Sequence, residues 1–273
     1  MTHSRRQILD LLDRHGLRPS RALGQNFVAD ANTVRRIARL AAVGPDDHVV
    51  EIGAGLGSLT LALAETGASV TAVELDRHLL PVLEEAVRGT GVRVVAADAM
   101  EVDWTSLLAA APVWVLVANL PYNVATPLVC DVLDQVPAIG RMLVMVQLEV
   151  AERLAAAPGD KAYGIPSVKV AYWATARLVG RVGPDVFVPR PRVESALVEI
   201  VRRPAGPAVD ADPDALFTLV RAGFGHRRKM LRGALAGLVD AAAFEAAGVD
   251  PTARAEQLDL EAWGRLTRAA ARP

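Results

Sequence analysis

The chain has 273 residues, 52% of them apolar and 22% charged, and a net charge of −1. It reads as a soluble globular protein with enough apolar material for one large domain and an appendage, or two domains. A single cysteine, Cys130, excludes an internal disulfide and a cysteine-rich zinc site, and the longest apolar run, residues 107–118, contains Pro112 and falls short of the roughly 20 residues that cross a bilayer.

In chain order, the N-terminal stretch from Thr2 to Asp10 has no apolar signal core, which with the lone cysteine predicts a reducing cytoplasm. Short β-rich runs follow at residues 49–52, 70–73, 93–97, 113–118 and 142–146, and between them residues 59–65 and 79–87 have helical spacing. Such alternation predicts an α/β fold with a mostly parallel, doubly wound sheet. Residues 171–182 and 196–201 are predicted as further strands of it. The Pro- and Gly-rich segment 203–207 then marks a domain boundary near residue 205, giving a first domain over 1–204 and a helical one over 205–273. Helices are expected there at residues 214–238 and 260–271.

The first strand runs into Glu51-Ile52-Gly53-Ala54-Gly55-Leu56-Gly57-Ser58, where glycines let the backbone turn sharply and approach a ligand beneath a helix N-terminus. The spacing G-x-G-x-G departs from the G-x-G-x-x-G of a dinucleotide site. Glu74 closes the second strand, 21 residues after Gly53, where a carboxylate can hold both ribose hydroxyls. Asp98 closes the third, with Ala99 and Met100 beside it, placed to accept from an adenine amino group while Met100 packs on the ring. The alternative makes Glu74 and Asp98 helix caps. Together these strand ends imply an adenosine-containing cofactor. No hydride-transfer site and no metal-ligand spacing among the five His residues accompany them, which favours S-adenosylmethionine over NAD and needs no metal.

The fourth strand ends in Asn119-Leu120-Pro121-Tyr122. The adenine N6 lone pair is delocalised into the ring, so N6 attacks well only when acceptors hold its hydrogens; the Asn119 side-chain oxygen and the Leu120 carbonyl are the candidates. Pro121 stiffens the turn, and Tyr122 is able to stack on the base, a contact of about 1–3 kcal/mol. The competing reading is a Pro-initiated turn in which Asn119 caps a helix starting near Thr126.

Charge is segregated along the chain. Residues 1–40 carry +5, residues 41–175 carry −9, residues 176–232 carry +5 and residues 233–273 carry −2. Two basic segments that fold together would make a face able to hold phosphates; ordinary solvated arginines are the alternative.

Taken in order, Leu23-Gly24-Gln25-Asn26-Phe27, the glycine turn at 51–57, Val73-Glu74-Leu75-Asp76, Asn119-Leu120-Pro121-Tyr122-Asn123 and Val146-Gln147-Leu148-Glu149-Val150-Ala151 resemble the small-subunit (16S) rRNA adenine dimethyltransferases of the KsgA/RsmA type. So do Tyr163-Gly164, Phe187-Val188-Pro189-Arg190-Pro191-Arg192-Val193-Glu194-Ser195 and Arg227-Arg228-Lys229-Met230-Leu231-Arg232. The resemblance implies a class I S-adenosylmethionine-dependent methyltransferase, Rossmann-like, with a small C-terminal helical domain for rRNA binding. It implies dimethylation of N6 of two adjacent adenines in the 3′-terminal hairpin loop of 16S rRNA in the 30S subunit. By it, Gln25, Asn26 and Val28, in an N-terminal helical and lid segment over residues 1–45, close over a cofactor held by Gly53, Gly55, Glu74, Asp98, Ala99 and Asn119. Phe187 would stack opposite Tyr122 on the flipped adenine.

Three departures stand out: Ala54 where the family commonly has Pro, Leu23 for Phe, and Leu148 where Lys is frequent. None removes a proposed catalytic group. Arg190, Arg192, Arg227, Arg228, Lys229 and Arg232 are the candidate phosphate contacts, with a solvated helix face as the alternative for Arg227, Arg228 and Arg232. A monomer is the default. Two other functions stay open: dimethylation of 23S rRNA with macrolide resistance, whose enzymes usually read Asn-Ile-Pro-Tyr, and a chiefly non-catalytic ribosome-assembly factor.

Overall fold

The computed structural model describes residues 2–271. Their strands are β1 (Phe27–Val28), β2 (His48–Ile52), β3 (Ser69–Glu74), β4 (Arg93–Ala96), β5 (Trp114–Asn119), β6 (Ile139–Gln147), β7 (Ala174–Val182), β8 (Phe187–Val188) and β9 (Ser195–Arg202). Seven of them form one sheet in the order β4-β3-β2-β5-β6-β9-β7, with β1 and β8 as a separate antiparallel pair. The contacts β4-β3, β3-β2, β2-β5 and β5-β6 are parallel and β6-β9 is antiparallel. A parallel sheet buries both faces, and Val49, Val50, Val70, Val73, Leu116 and Val117 are correspondingly buried.

Register places the functional strand ends on one edge. Ile52 pairs with Val73, Glu74 with Ala96, and Asn119 with Met145, so β2 to β6 reach the same edge together. Winding runs outward from β2 through β3 to β4 and then reverses to β5 and β6. At such a reversal the connections leave in opposite directions and open a crevice at the carboxyl ends.

The chain divides into two compact units. The described residues of Met1–Ala151 and Arg177–Val201 form the α/β unit, and those of Glu152–Ala176 and Arg202–Pro273 form a helical one. The helical unit thus takes in residues 152–176, which a first domain over 1–204 would keep with the sheet. Its core explains why: Val168 and Tyr172 are buried with Leu216, Phe217, Val220, Trp263 and Leu266, and the Tyr163 hydroxyl donates to the Leu258 carbonyl at 3.1 Å.

Other expectations are corrected locally. Residues 171–173, predicted as strand, complete a helix over Ile165–Trp173 that begins with Pro166 in its first turn; β7 starts only at Ala174. The single helix expected over residues 214–238 is two, Pro213–Gly225 and Leu231–Ala234, separated by a turn that carries Arg227, Arg228 and Lys229. Gly225 ends the first helix, and three successive cations offer a new turn of helix no opposite charge. The solvated helix face proposed for Arg227 and Arg228 therefore does not form. A further helix, Ala241–Ala247, is absent from the sequence-based expectations because its five alanines carry little periodic signal.

Two buried residues of the α/β unit carry physical consequences. Phe187 is fully buried in a cluster with Val28, Val34, Ile37 and Leu197. Glu51, in β2, is 2% exposed, and its Oε2 has no hydrogen-bond partner among the described residues. Burial, reinforced by the nearby Glu74 carboxylate, pushes the Glu51 carboxyl up to about 8.

These surroundings set two expectations. Phe187→Ala should destabilise the protein by about 3–5 kcal/mol in chemical denaturation, the usual cost of emptying a packed aromatic site; a loss under about 1 kcal/mol would contradict its place in the core. For Glu51, the folded state holds a proton that the unfolded chain releases near 4.5. Stability therefore falls as pH rises from about 4.5 to about 8. Glu51→Gln removes that proton exchange, so its melting temperature relative to the parent should climb between about pH 5 and about pH 8. A gap independent of pH would show that Glu51 ionises normally.

Candidate functional site

The crevice at the switch point opens to solvent and, counted with the open space at its mouth, holds about 930 Å³. Its walls come from the ends of β2 to β5 and from a lid formed by the turn that precedes β1. Gly53, Gly55, Glu74, Asp98, Ala99, Asn119, Leu120 and Tyr122 all line it, as do Gln25 and Asn26 of the lid. The sequence places each of these near a ligand, and the structure brings them to one cavity.

The glycine turn is shaped by its own hydrogen bonds. Gly53, Gly55 and Gly57 have φ of 70°, 59° and 82°, a region open to glycine. Gly53 N–H and Ala54 N–H both donate to the Val73 carbonyl, Gly57 N–H donates to the Ala54 carbonyl, and Gly55 N–H donates to Glu74 Oε2 at 2.7 Å. A Cβ on Gly55 would stand 3.0 Å from the Phe27 ring, so the turn and the lid meet with no room for a side chain. These four amides are engaged internally, whereas a dinucleotide site turns such amides toward pyrophosphate.

Electrostatics point the same way. Among the described residues the cavity wall carries the carboxylates Glu74 and Asp98 and no Lys, Arg or His. Glu74 also accepts at Oε1 from Asp76 N–H at 2.8 Å. Burial raises its affinity for a proton, while the Asp76 and Gly55 amides hold it toward the charged form. Asp98 accepts from Met100 N–H at 2.8 Å, which orients its carboxylate. Such a wall repels phosphate and accommodates a cation. The apolar wall is made by Ile52, Val73, Leu75 and Met100; Leu75 and Met100, 47% and 40% exposed, offer flat contact to an aromatic ring. Together these residues fit the sulfonium, ribose and adenine of S-adenosylmethionine.

The lid is fastened by side-chain amides. Asn119 Nδ2 donates to the Asn26 carbonyl at 2.8 Å, and Asn123 Nδ2 donates to the Ala22 carbonyl at 3.2 Å. Gln25 Nε2 donates to Asp76 Oδ2 at 2.8 Å, while Gln25 Oε1 accepts from Ser20 N–H at 2.7 Å. Gly24, at φ 63°, lies so close to the turn after β5 that a Cβ there would be 2.9 Å from Asn123 Oδ1. The bond to Asn26 settles which way the Asn119 amide faces: its nitrogen is engaged, and its oxygen is left as the acceptor.

Tyr122 is held by its hydroxyl, which lies 2.7 Å from Ser195 Oγ. Ser195 is fully buried at the start of β9, so the phenol ring has a fixed edge. The Leu120 N–H donates to the Met145 carbonyl at 3.0 Å, which fixes the peptide between Asn119 and Pro121.

Two expected site residues lie elsewhere. Phe187 pairs with Val28 across the β1-β8 ladder, and both side chains are in the core rather than on the cavity wall. Alternation along a strand is the reason: β1 presents Phe27 to the glycine turn and Val28 to the opposite, buried side. Phe27, Leu75, Asn123 and Ser195 have no role assigned from sequence. Leu75 alone leaves a signal there, an apolar residue between two acids.

Arg190 and Arg192 are outside the cavity wall on the α/β unit, with Arg190 Nη1 3.3 Å from Asp185 Oδ1. On the helical unit Arg228, Lys229 and Arg232 are exposed, whereas Arg227 donates to Glu256 Oε2 at 2.6 Å and to the Lys161 carbonyl at 2.9 Å. Among the described residues no group of three or more His, Cys, Asp or Glu is placed to hold a metal, and no helix is long and apolar enough to cross a membrane.

Known proteins share this plan. Residues 17–272 match the family described as ribosomal RNA adenine dimethylase. A protein of Kineococcus radiotolerans named ribosomal RNA small subunit methyltransferase A is 50% identical, over 99% of this chain and 91% of its own length. Its namesake from Streptomyces coelicolor is 51% identical, over 92% and 91%. Among solved structures, the 23S rRNA methyltransferase ErmE superposes with a TM-score of 0.68 at 28% identity, over 90% of this chain and all of that one. A dimethyladenosine transferase from Plasmodium falciparum shares the fold, with a TM-score of 0.74 at 23% identity over 87% and 94%. A cavity built for a cationic adenosine cofactor beside an oriented amide, in a chain matched over nearly its whole length, places this protein in the ribosomal RNA adenine dimethylase family.

Proposed function

We propose that the chain transfers methyl groups from S-adenosylmethionine to N6 of two adjacent adenines in the 3′-terminal hairpin loop of 16S rRNA, giving dimethyladenines and serving ribosome biogenesis. The observation that carries this is the oriented Asn119 oxygen on the wall of an acidic cavity that has no basic residue among those described. The half-identical relatives named for the small ribosomal subunit, and Leu120 in the Asn-Leu-Pro-Tyr run, favour 16S over 23S rRNA.

When bound, the cofactor supplies a methyl group activated by its sulfonium. Glu74 would hold the ribose, Asp98 and Ala99 would meet the adenine amino edge, and Gly53 and Gly55 would let the backbone approach the amino-acid part. Asn26 and Gln25 close the lid. On the substrate side, Asn119 Oδ1 and the Leu120 carbonyl accept the two N6 hydrogens, drawing the nitrogen lone pair out of conjugation so that it can attack. Tyr122, fixed by Ser195, stacks on the flipped base. Phe187 supports this wall from the core. Attack leaves a cationic nitrogen acidic enough to lose a proton to water, so no strong base is required. One hydrogen remains after the first transfer, and the same acceptors serve the second.

Loop bases cost less to unstack than paired ones, which suits a hairpin tip. Arg190, Arg192, Arg228, Lys229 and Arg232 are proposed to hold its phosphates. Arg227 is proposed to reach phosphate by exchanging Glu256 for it. The reading places a single chain on the 30S particle in the cytoplasm.

Tritiated-methyl transfer to 30S particles from a strain lacking this modification should label two adjacent adenines near the 3′ end of 16S rRNA, and 50S particles should stay unlabelled. Label confined to 50S would overturn the assignment. Asn119→Ala should cut kcat by about 100-fold or more, the order expected when a donor or acceptor acting in the transition state is removed, and should weaken S-adenosylhomocysteine binding far less than that, by the loss of one lid bond. Unchanged kcat would remove Asn119 from the chemistry.

A further inference from the structure

We propose that Asp76 is the positioning residue of the lid: acting through Gln25, it holds the lid over the cofactor cavity and thereby sets the Asn119 amide. Asp76 does not line the cofactor cavity. It lines a second, polar cavity on the far side of the lid, and Gln25 stands in the wall between the two.

The bonding makes this division of labour. Each polar atom of the Gln25 amide has a protein partner, Nε2 on Asp76 Oδ2 and Oε1 on the Ser20 N–H. Asp76 is itself anchored, since its Oδ1 accepts from His78 N–H at 3.0 Å and its own N–H donates to Glu74 Oε1. A continuous chain of hydrogen bonds therefore runs from the Gly55 amide through Glu74 and Asp76 to Gln25 and the turn at Ser20. The next lid residue, Asn26, offers the carbonyl that orients Asn119. A lid released from Asp76 loses its tie to the ribose carboxylate and leaves the Asn119 amide free to turn over. Gln25 thus acts as the lid's fastening rather than as a direct ligand.

Donor and acceptor can be exchanged across this contact. Gln25→Glu sets two carboxylates 2.8 Å apart, and Asp76→Asn leaves one of the three bonds at Gln25, Ser20 and His78 without a matching partner whichever way the amides turn. In the double variant the amide introduced at position 76 donates to the carboxylate introduced at position 25. That carboxylate still accepts from Ser20 N–H, and the oxygen of the introduced amide still accepts from His78 N–H. All three bonds return with the polarity of one reversed.

The test is a double-mutant cycle on the full chain, read by S-adenosylhomocysteine calorimetry, by kcat, and by amide hydrogen exchange at Gly24 and Gln25. Gln25→Glu should weaken binding tenfold or more and lower kcat, Asp76→Asn should weaken it severalfold, and the double variant should return to within about threefold of the parent in all three. Losses that multiply in the double variant would overturn the proposal and make the Gln25 amide a direct cofactor ligand. Exchange at Gly24 and Gln25 that is unchanged in both single variants would overturn it as well, and this readout stands even where a variant is too weak to assay. The proposal rests on the cavity being the cofactor site; S-adenosylhomocysteine binding by the parent tests that reading separately, since a parent that binds none fails before any variant is compared.

Discussion

A parallel sheet whose winding reverses between β2 and β5 cannot close over its own carboxyl edge there, because the segments leaving the two strands go to opposite faces. Everything functional in the α/β unit depends on that gap. It sets Ile52, Glu74, Ala96 and Asn119 at one level, and it leaves a crevice that the sheet's own connections do not fill. The chain solves this by carrying a preceding segment, the turn before β1, back across the opening. The glycine turn then has to be thin where the lid crosses it, which is why Gly55 faces the Phe27 ring with no space for a Cβ.

Charge then selects what the gap can hold. With the turn amides engaged by Val73, Ala54 and Glu74, the crevice lacks the donor array that attracts phosphate. With two carboxylates on its wall, it favours a positive ligand. The same fold with amides turned outward and a lysine in the wall would be a nucleotide site, so the preference resides in about four hydrogen bonds and the absence of a base rather than in the architecture.

Much of this is legible in the sequence. Strand ends are readable because each parallel strand is a short apolar run stopped by a polar residue, as at Glu74 and Asn119, and those stops are the site. The helical unit is harder. Residues 165–173 form an apolar segment whose buried and exposed positions follow no strong period, so a strand and a packed helix look alike until Tyr172 finds Phe217. Phe187 is misplaced from sequence because a motif fixes its order along the chain and not its face; in a two-residue ladder, register with Val28 decides which side it takes. Partners such as Gln25 and Asp76, or Tyr122 and Ser195, are set by tertiary packing across 51 and 73 residues, and no local pattern announces them.

The lid's three amide fastenings join residues 51, 93 and 101 positions apart. Closing loops of that size has an entropic cost that grows only slowly with length, but it falls on a segment made before all of β2 to β9. The set of fastenings cannot be complete until the chain has been made and folded through Asn123. A ribosome translating this protein therefore displays β2 to β5 before the lid can be tied, so the competence to modify other ribosomes waits on a strand end made 93 residues after the carbonyl it fastens.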